Sequence, residues 1–537
     1  MVMTPKGWLG IVLHAHLPFV REPEYEFFME ELWFYEAMLE TYLPLLDKFT
    51  SLLNEGVDFN LTMSITPPLM EMMRDELLKQ RFERHFDKLQ ELAEKEVWRT
   101  KFDERLNKVA RMYKERFSRL RRLWESNGKD ILGAFKKISD TGHLEIITCG
   151  ATHGFLPLLQ VNEKAVEAQI KIGVDIYRRH MGKDPVGIWL PECAYYPRVD
   201  KFLAKYGIRF FVMETHGVLF AKPMPRYGVY APIYCPDTFV AAFGRDVESG
   251  KAVWSAQEGY PGDFDYREFY RDIGYDLDFD YIAPYIHPDG IRINTGIKYH
   301  RITGRVDLSQ KDIYDPDKAL EKAALHAGNF MFNREKQVEW LRSHMDREPV
   351  IVAPYDAELF GHWWFEGPDF LYFLFKKIHY DQNNIKTVTL KQYLNMYPQN
   401  QVAEPAFSSW GYKGYCEVWL NGTNDWIYPH LHMAADRMVE VTTKFKAEYG
   451  KKNIVDRAIT QMARELLLAQ SSDWAFLIKM GTAVEYSTKR TRQHIWNFNR
   501  LYEMVNGGNI DQQWLAFLEW KDNIFSELDW RVYVADN

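Results

Sequence analysis

Short apolar runs alternate with helix-patterned stretches along most of the chain. Residues 8–13, 59–65, 144–148, 187–190, 209–213 and 350–353 are brief, rich in β-branched and aromatic side chains, and closed by proline, glycine, histidine or an acid. Runs of this kind predict buried strands. Residues 163–179 and 199–206 carry helical spacing. So does the segment after the first run, where Trp33, Ala37, Tyr42 and Leu45 fall roughly on one face. Strands alternating with helices predict a parallel sheet. Residues 74–142 depart from that alternation: they are charged, helix-patterned and almost free of proline and glycine, which predicts a helical insertion. From 260 to about 299 the chain mixes aromatics, glycine and acids with little periodicity, the mark of long ordered loops. Beyond 405 strand signals fade, and Ile459, Met462 and Leu466 form a core-facing helix stripe. The pattern predicts a barrel-like α/β domain over 1–405, interrupted by a helical subdomain at 74–142 and followed by a helical domain at 406–537.

Reactive residues gather just past the predicted strands. His14, His16, His153, Glu192, Glu214, His216 and Asp356 each follow the C-terminal end of one, the face on which α/β barrels build sites. A salt bridge or helix cap accounts for any one of these alone; seven on one edge point to a site. Pro191 fixes the direction of the turn before Glu192, so its carboxylate can be aimed into a cleft. Glu192 and Asp356 together supply the carboxylate pair of glycoside cleavage, one as nucleophile and one as general acid and base. Trp363 and Trp364, next to Asp356, offer indole faces for sugar rings. Trp410, Trp419 and Trp426, set among glycine, asparagine and aspartate, read the same way. A rival reading starts from His14 and His16, which at i, i+2 on a strand point to one side. With His153, His216 and Asp356 they could bind a divalent metal, as in deacetylases. No HExxH motif or cysteine cluster supports it, and hydrogen bonds to sugar hydroxyls are the favoured use. A third reading is a sugar-binding protein without catalysis, which would have no use for both acids.

Composition narrows the field without changing it. The 537 residues carry a net charge of −8 with both signs mixed, so no nucleic-acid surface is expected. No apolar run has the length of a membrane span, and the first residues lack a signal-peptide core, so a cytoplasmic location is expected. Four scattered cysteines form no CxxC pair. Aromatics at 15% suit a sugar-binding protein or a heavy core equally well.

The motifs His14-Ala-His-Leu-Pro18, Gly150-Ala-Thr-His-Gly154, Trp189-Leu-Pro-Glu-Cys-Ala194, Ala353-Pro-Tyr-Asp-Ala-Glu-Leu-Phe-Gly-His-Trp-Trp364 and Ser408-Ser-Trp-Gly411 resemble the five ordered regions of glycoside hydrolase family 57. The resemblance covers essentially the whole chain. It is strongest to the group of glycogen branching enzymes that includes an α-amylase-like Thermotoga relative. It implies a (β/α)7 barrel with a helical insertion and a C-terminal all-α domain contributing to the cleft. It also implies a retaining reaction on α-1,4-glucan without metal or other cofactor. Carried over, Glu192 is the nucleophile and Asp356 the acid/base, with His14, His16, His153 and Asp473 lining the donor site. Trp410 and Trp419 match cleft tryptophans, and Tyr275 stands where the family has a third. Branching members shield the covalent intermediate with a tyrosine-bearing loop. The matching stretch here, 231–243, is short and has Tyr234 as its tyrosine, which keeps hydrolysis a competitor to branching.

Overall fold

The computed structural model describes residues 4–255 and 258–536. Among the described residues nine strands form one curled sheet: β1 (Gly7–Ala15), β2 (Leu61–Ile65), β3 (Leu144–Cys149), β4 (Gly187–Trp189), β5 (Phe210–Met213), β6 (Ile233–Tyr234), β7 (Ala241–Gly244), β8 (Val350–Asp356) and β9 (Ile385–Thr387). Eight of them are mutually parallel, seven in the order β7-β5-β4-β3-β2-β1-β8 and β9 beside β1 off that path. The two ends of that path meet where the Asp246 N–H donates to the Val352 carbonyl at 2.9 Å. The predicted seven-stranded barrel is therefore the architecture, and the intervening helices wrap its outside.

Because both faces of these strands are covered, they read as continuous apolar runs rather than alternating ones. The strand period of two still sorts their side chains. Val12, Ile147, Trp189, Val212, Phe243 and Val352 pack together in the barrel interior. Leu9, Ile11 and Leu13 pack outward against the helices. The interior stripe of β8 runs through Val350 and Val352, and two and four residues on come Pro354 and Asp356. On β1 it runs through Val12 to His14. Register sets His14 opposite Asp356. Two reactive groups are thus delivered side by side at the barrel mouth by strand pairing alone.

Residues 74–142 form the helices Glu76–Arg99, Glu104–Ser126 and Ile131–Asp140, capped by Asp75, Asp103 and Asp130 through their carboxylates. The C-terminal region holds helices Ile427–Lys444, Ile454–Ala469, Ser472–Met480, Val484–Gly507 and Gln512–Lys521. Ile459, Met462 and Leu466 are buried, as their spacing predicts.

Three expectations need correction. The strand expected to stop at Pro354 runs on to Asp356, because β8 ends the sheet path and a residue without an N–H is tolerated there. Strand β9 gave no signal, being only three residues long. The stretch 231–243 is not a loop over the mouth. Its ends pair as a short antiparallel ribbon, Ile233 to Ala242 and Tyr234 to Ala241.

Candidate active site

The turns after β3 and β4 are wound in strained backbone. His153, Glu192 and Cys193 all have positive φ, at 59°, 63° and 48°. Non-glycine residues hold such angles only where the surroundings enforce them, and such strain clusters at functional sites. Here the C-terminal region does the enforcing. The Ser472 N–H donates to the His153 carbonyl at 3.0 Å, and the Trp410 N–H to the Glu192 carbonyl at 3.0 Å. Both carboxylate oxygens of Glu192 are then gripped: Oε1 accepts from Ser472 Oγ and Oε2 from Trp410 Nε1, each at 2.7 Å. Burial pushes Glu192 up to about 7, with Asp473 adding to the rise and the Ser472 and Trp410 hydrogen bonds resisting it.

Asp356 sits differently. No described residue hydrogen-bonds its carboxyl. Burial, then the negative charges of Glu358 and Glu192, hold it well above the usual carboxylate range, against the pull of His16 and Arg245. Glu358 accepts from the Tyr42 hydroxyl and from the His16 N–H, the latter at 3.1 Å.

Three histidines fill the space on the β1 side. The His14 ring lies flat on Trp189, with centroids 4.5 Å apart, and its Nε2 is 3.0 Å from His153 Nε2. His16 stacks on His153 at 3.9 Å. Burial, followed by the neighbouring His16, holds His14 and His153 well below the ordinary histidine range, so both are neutral. His16 goes the other way: burial lowers it, but the Asp473 charge and hydrogen bond outweigh that and raise it. Both Asp473 oxygens lie 3.0 Å from His16 Nε2. Burial works against Asp473 ionising, yet the His16 charge and hydrogen bond bring it down to about 2. His16 and Asp473 thus each favour the charged form of the other, beside two imidazoles that burial holds toward the neutral form.

His16, His153 and Asp473 are close enough to hold a metal, their ligand atoms lying within 4.8 Å of one another. Those atoms are already paired, however: His16 Nε2 with Asp473, His153 Nδ1 with Ser472 at 2.8 Å, and His153 Nε2 with His14. His216, named for the same metal shell, instead points its Nε2 at the Gly414 carbonyl, 3.0 Å away. A second cluster, Glu465, His494 and Asp522, is enclosed among the C-terminal helices with Arg490 against it.

The aromatic expectations divide. Trp410 touches Glu192 and meets Trp189 edge-on at 5.3 Å. Trp363 is 55% exposed and stacks on Phe269 at 4.6 Å, and Tyr275 is 53% exposed. Trp364 and Trp419 are each only 1% exposed, which corrects their assignment as sugar platforms. Trp364 packs on Phe370 and Tyr266, and Trp419 stacks on Phe155 at 4.7 Å. Tyr234, left open as the loop tyrosine, lies away from the mouth. It pairs with Ala241 at the start of β7, the end of the strand away from the mouth, and its hydroxyl donates to the Pro398 carbonyl at 2.8 Å. Sequence reasoning missed Ser472, Tyr42 and Thr66, whose hydroxyl bonds His16 Nδ1 at 3.0 Å. Only Ser472, adjacent to Asp473, carried a signal.

The family model for glycosyl hydrolase family 57 matches residues 10–326, and a model for the C-terminal part of 1,4-alpha-glucan branching enzyme matches 430–533. The 1,4-alpha-glucan branching enzyme of Thermococcus kodakarensis is 37% identical, over 99% of this chain and 79% of that protein. The crystal structure of the alpha-amylase AmyC from Thermotoga maritima superposes with a TM-score of 0.92 at 48% identity, covering 99% of both chains. The branching enzyme of Pyrococcus horikoshii superposes at 0.88 with 35% identity, covering 99% of this chain and 97% of that one.

Proposed function

The chain belongs to glycosyl hydrolase family 57, and from that premise we propose that it cleaves α-1,4-glucan with retention and passes the chain to a glucan 6-hydroxyl, making a branch. The observation that carries this reading is the unequal seating of two buried carboxylates. Glu192 receives a donor on each oxygen, which favours its ionised form, while Asp356 lies among negative charges that favour its protonated form. A Glu192 oxygen attacks the anomeric carbon as the bond to the glycosidic oxygen breaks, and Asp356 gives that oxygen its proton. The acceptor hydroxyl then attacks the same carbon, Asp356 takes its proton, and the bond to Glu192 breaks. His14, His16, His153 and Asp473 are suited to holding the hydroxyls of the sugar being transferred. Trp410, Trp363 and Tyr275 are suited to stacking on its neighbours. Trp364, Trp419 and Tyr234 are left out of this assignment.

Hydrolysis by water instead of transfer is the second reading. The position of Tyr234, at the far end of β7, and the likeness to the Thermotoga alpha-amylase favour it. Incubation with amylose separates the two, with iodine staining, reducing ends and proton NMR of α-1,6 linkages followed together and Glu192→Gln as control. Branching gives new α-1,6 signals with few new reducing ends. Reducing ends alone establish hydrolysis, and no change in either measure removes the glucan reading.

A further inference from the structure

Between the α-helical stretches Glu31–Ala37 and Leu43–Asn54, residues Met38–Tyr42 wind as a π-helical turn, with the Leu43 N–H reaching back to the Met38 carbonyl. Pro44, at the start of the second stretch, has no N–H to return to the Glu40 carbonyl four residues earlier, so an uninterrupted α-helical ladder cannot form here. Such turns are rare and are found at functional sites. What exploits this one is the segment just after Asp356. The Tyr42 hydroxyl donates to Glu358 Oε1, and the Glu40 carboxylate lies 2.7 Å from His362 Nδ1. Gly361, at φ 120°, packs so tightly on the freed Glu40 carbonyl that a Cβ there would lie 1.8 Å from it. The π turn therefore grips this segment at three successive points.

We infer that Tyr42 is a positioning residue for the acid/base step: from the π turn it fixes the Glu358 carboxylate, whose charge keeps the proton of the site on Asp356. This rests on the reading of Asp356 as the acid. The groups facing Asp356 are Glu358, Glu192, His16 and Arg245; those facing Glu358 are Tyr42, His16 and Asp356 itself. Burial lifts Glu358 above the usual carboxylate range, and the donors from Tyr42 and His16 resist the rise, whereas Asp356, without donors, is held well above that range. Two buried acids that repel each other resist ionising together, and whichever has the better donors ionises first. Without the Tyr42 hydroxyl, Glu358 competes for the proton and Asp356 gives it up at lower pH.

The test is kcat/KM against pH for the parent, Tyr42→Phe and Glu358→Gln. One substrate is a maltooligosaccharide; the other is an α-maltosyl fluoride, whose leaving group needs no proton. On the oligosaccharide the basic limb moves to lower pH in Tyr42→Phe and further in Glu358→Gln, by about one pH unit in the latter. On the fluoride, Tyr42→Phe stays within about threefold of the parent above neutral pH, since acid assistance is all it has lost. A basic limb that stays put or moves up overturns the inference, as does an equal loss on both substrates, which means the turn merely folds the segment. Full oligosaccharide activity in Asp356→Asn overturns instead the parent reading of Asp356.

Discussion

The two carboxylates at the barrel mouth are seated by opposite means. Asp356 is placed by strand register, the most local device the fold has: it continues the interior stripe of β8 and lies opposite His14 on β1. Its surroundings act through charge. Glu192 sits on a turn with φ 63°, and each of its oxygens is held by a residue from beyond the barrel, Ser472 or Trp410. Its surroundings act through hydrogen bonds. A group that must release a proton is better served by unpaired charge nearby, and a group that must stay ionised by donors. The difference in seating is what would divide the roles proposed for them.

The largest test of that division is removal of each acid. Glu192→Gln should lower kcat by at least about 10⁴-fold on every substrate, since no covalent intermediate can form. Asp356→Asn should cost about 10²–10⁴-fold on an oligosaccharide and far less on a glycosyl fluoride. Equal losses on both substrates would mean that the two acids share one role. Next come the aromatic side chains on the two sides. Trp419→Ala, on the Glu192 side, opens a buried site and should cost about 3–5 kcal/mol in denaturant unfolding. Trp363→Ala, on the Asp356 side, should change stability by less than about 0.5 kcal/mol and instead raise KM. A stability loss at Trp363 would show that it belongs to the core after all.

Smaller effects sharpen the comparison. Ser472→Ala deletes one donor to Glu192, a loss of about 1.5–3 kcal/mol for a hydrogen bond to a charged group, or about 10–100-fold in kcat/KM. The ionised nucleophile loses support, so the acidic limb of the pH profile should move up while the basic limb stays. Movement of the basic limb would break the separation between the two seats. Last is the Asp473–His16 pair, which joins the C-terminal region to β1. Asp473 is depressed to about 2 from 3.8, so it stabilises the fold by about 2 kcal/mol above pH 4, and that is lost as pH falls through about 2. His16 is raised, so its contribution is complete below its unfolded value and fades as pH rises through the folded one. Thermal melting of Asp473→Asn against the parent should show the gap closing at both extremes.

Much of this was legible in the chain because barrels carry their chemistry at strand ends. The runs ending in His14, Glu192 and Asp356 could be read without knowing how the strands pair. What could not be read depends on distant packing. Trp364 and Trp419 look like their neighbours Trp363 and Trp410, and only the three-dimensional surroundings separate a covered indole from an open one. Tyr42 was read as one more apolar position on a helix face, and its ring is indeed buried. Its hydroxyl matters because Glu358, 316 residues away, meets it. The ribbon at Tyr234 was missed because β6 is two residues long and its pairing is not a local property.

The His16–Asp473 contact spans 457 positions in the chain. During synthesis at about 5–20 residues per second, roughly half a minute to a minute and a half separates the emergence of its two halves from the ribosome. Over the last part of that interval, the 116 residues from Asp356 to Ser472 (472 − 356), the strands bearing both acids can be present and paired while the clamp on Glu192, which needs Trp410 and Ser472, is incomplete. With Glu192 in its proposed role, a nascent chain is therefore a barrel whose nucleophile is not yet fully seated. Competence to cut glucan arrives late, with the segment that carries Ser472.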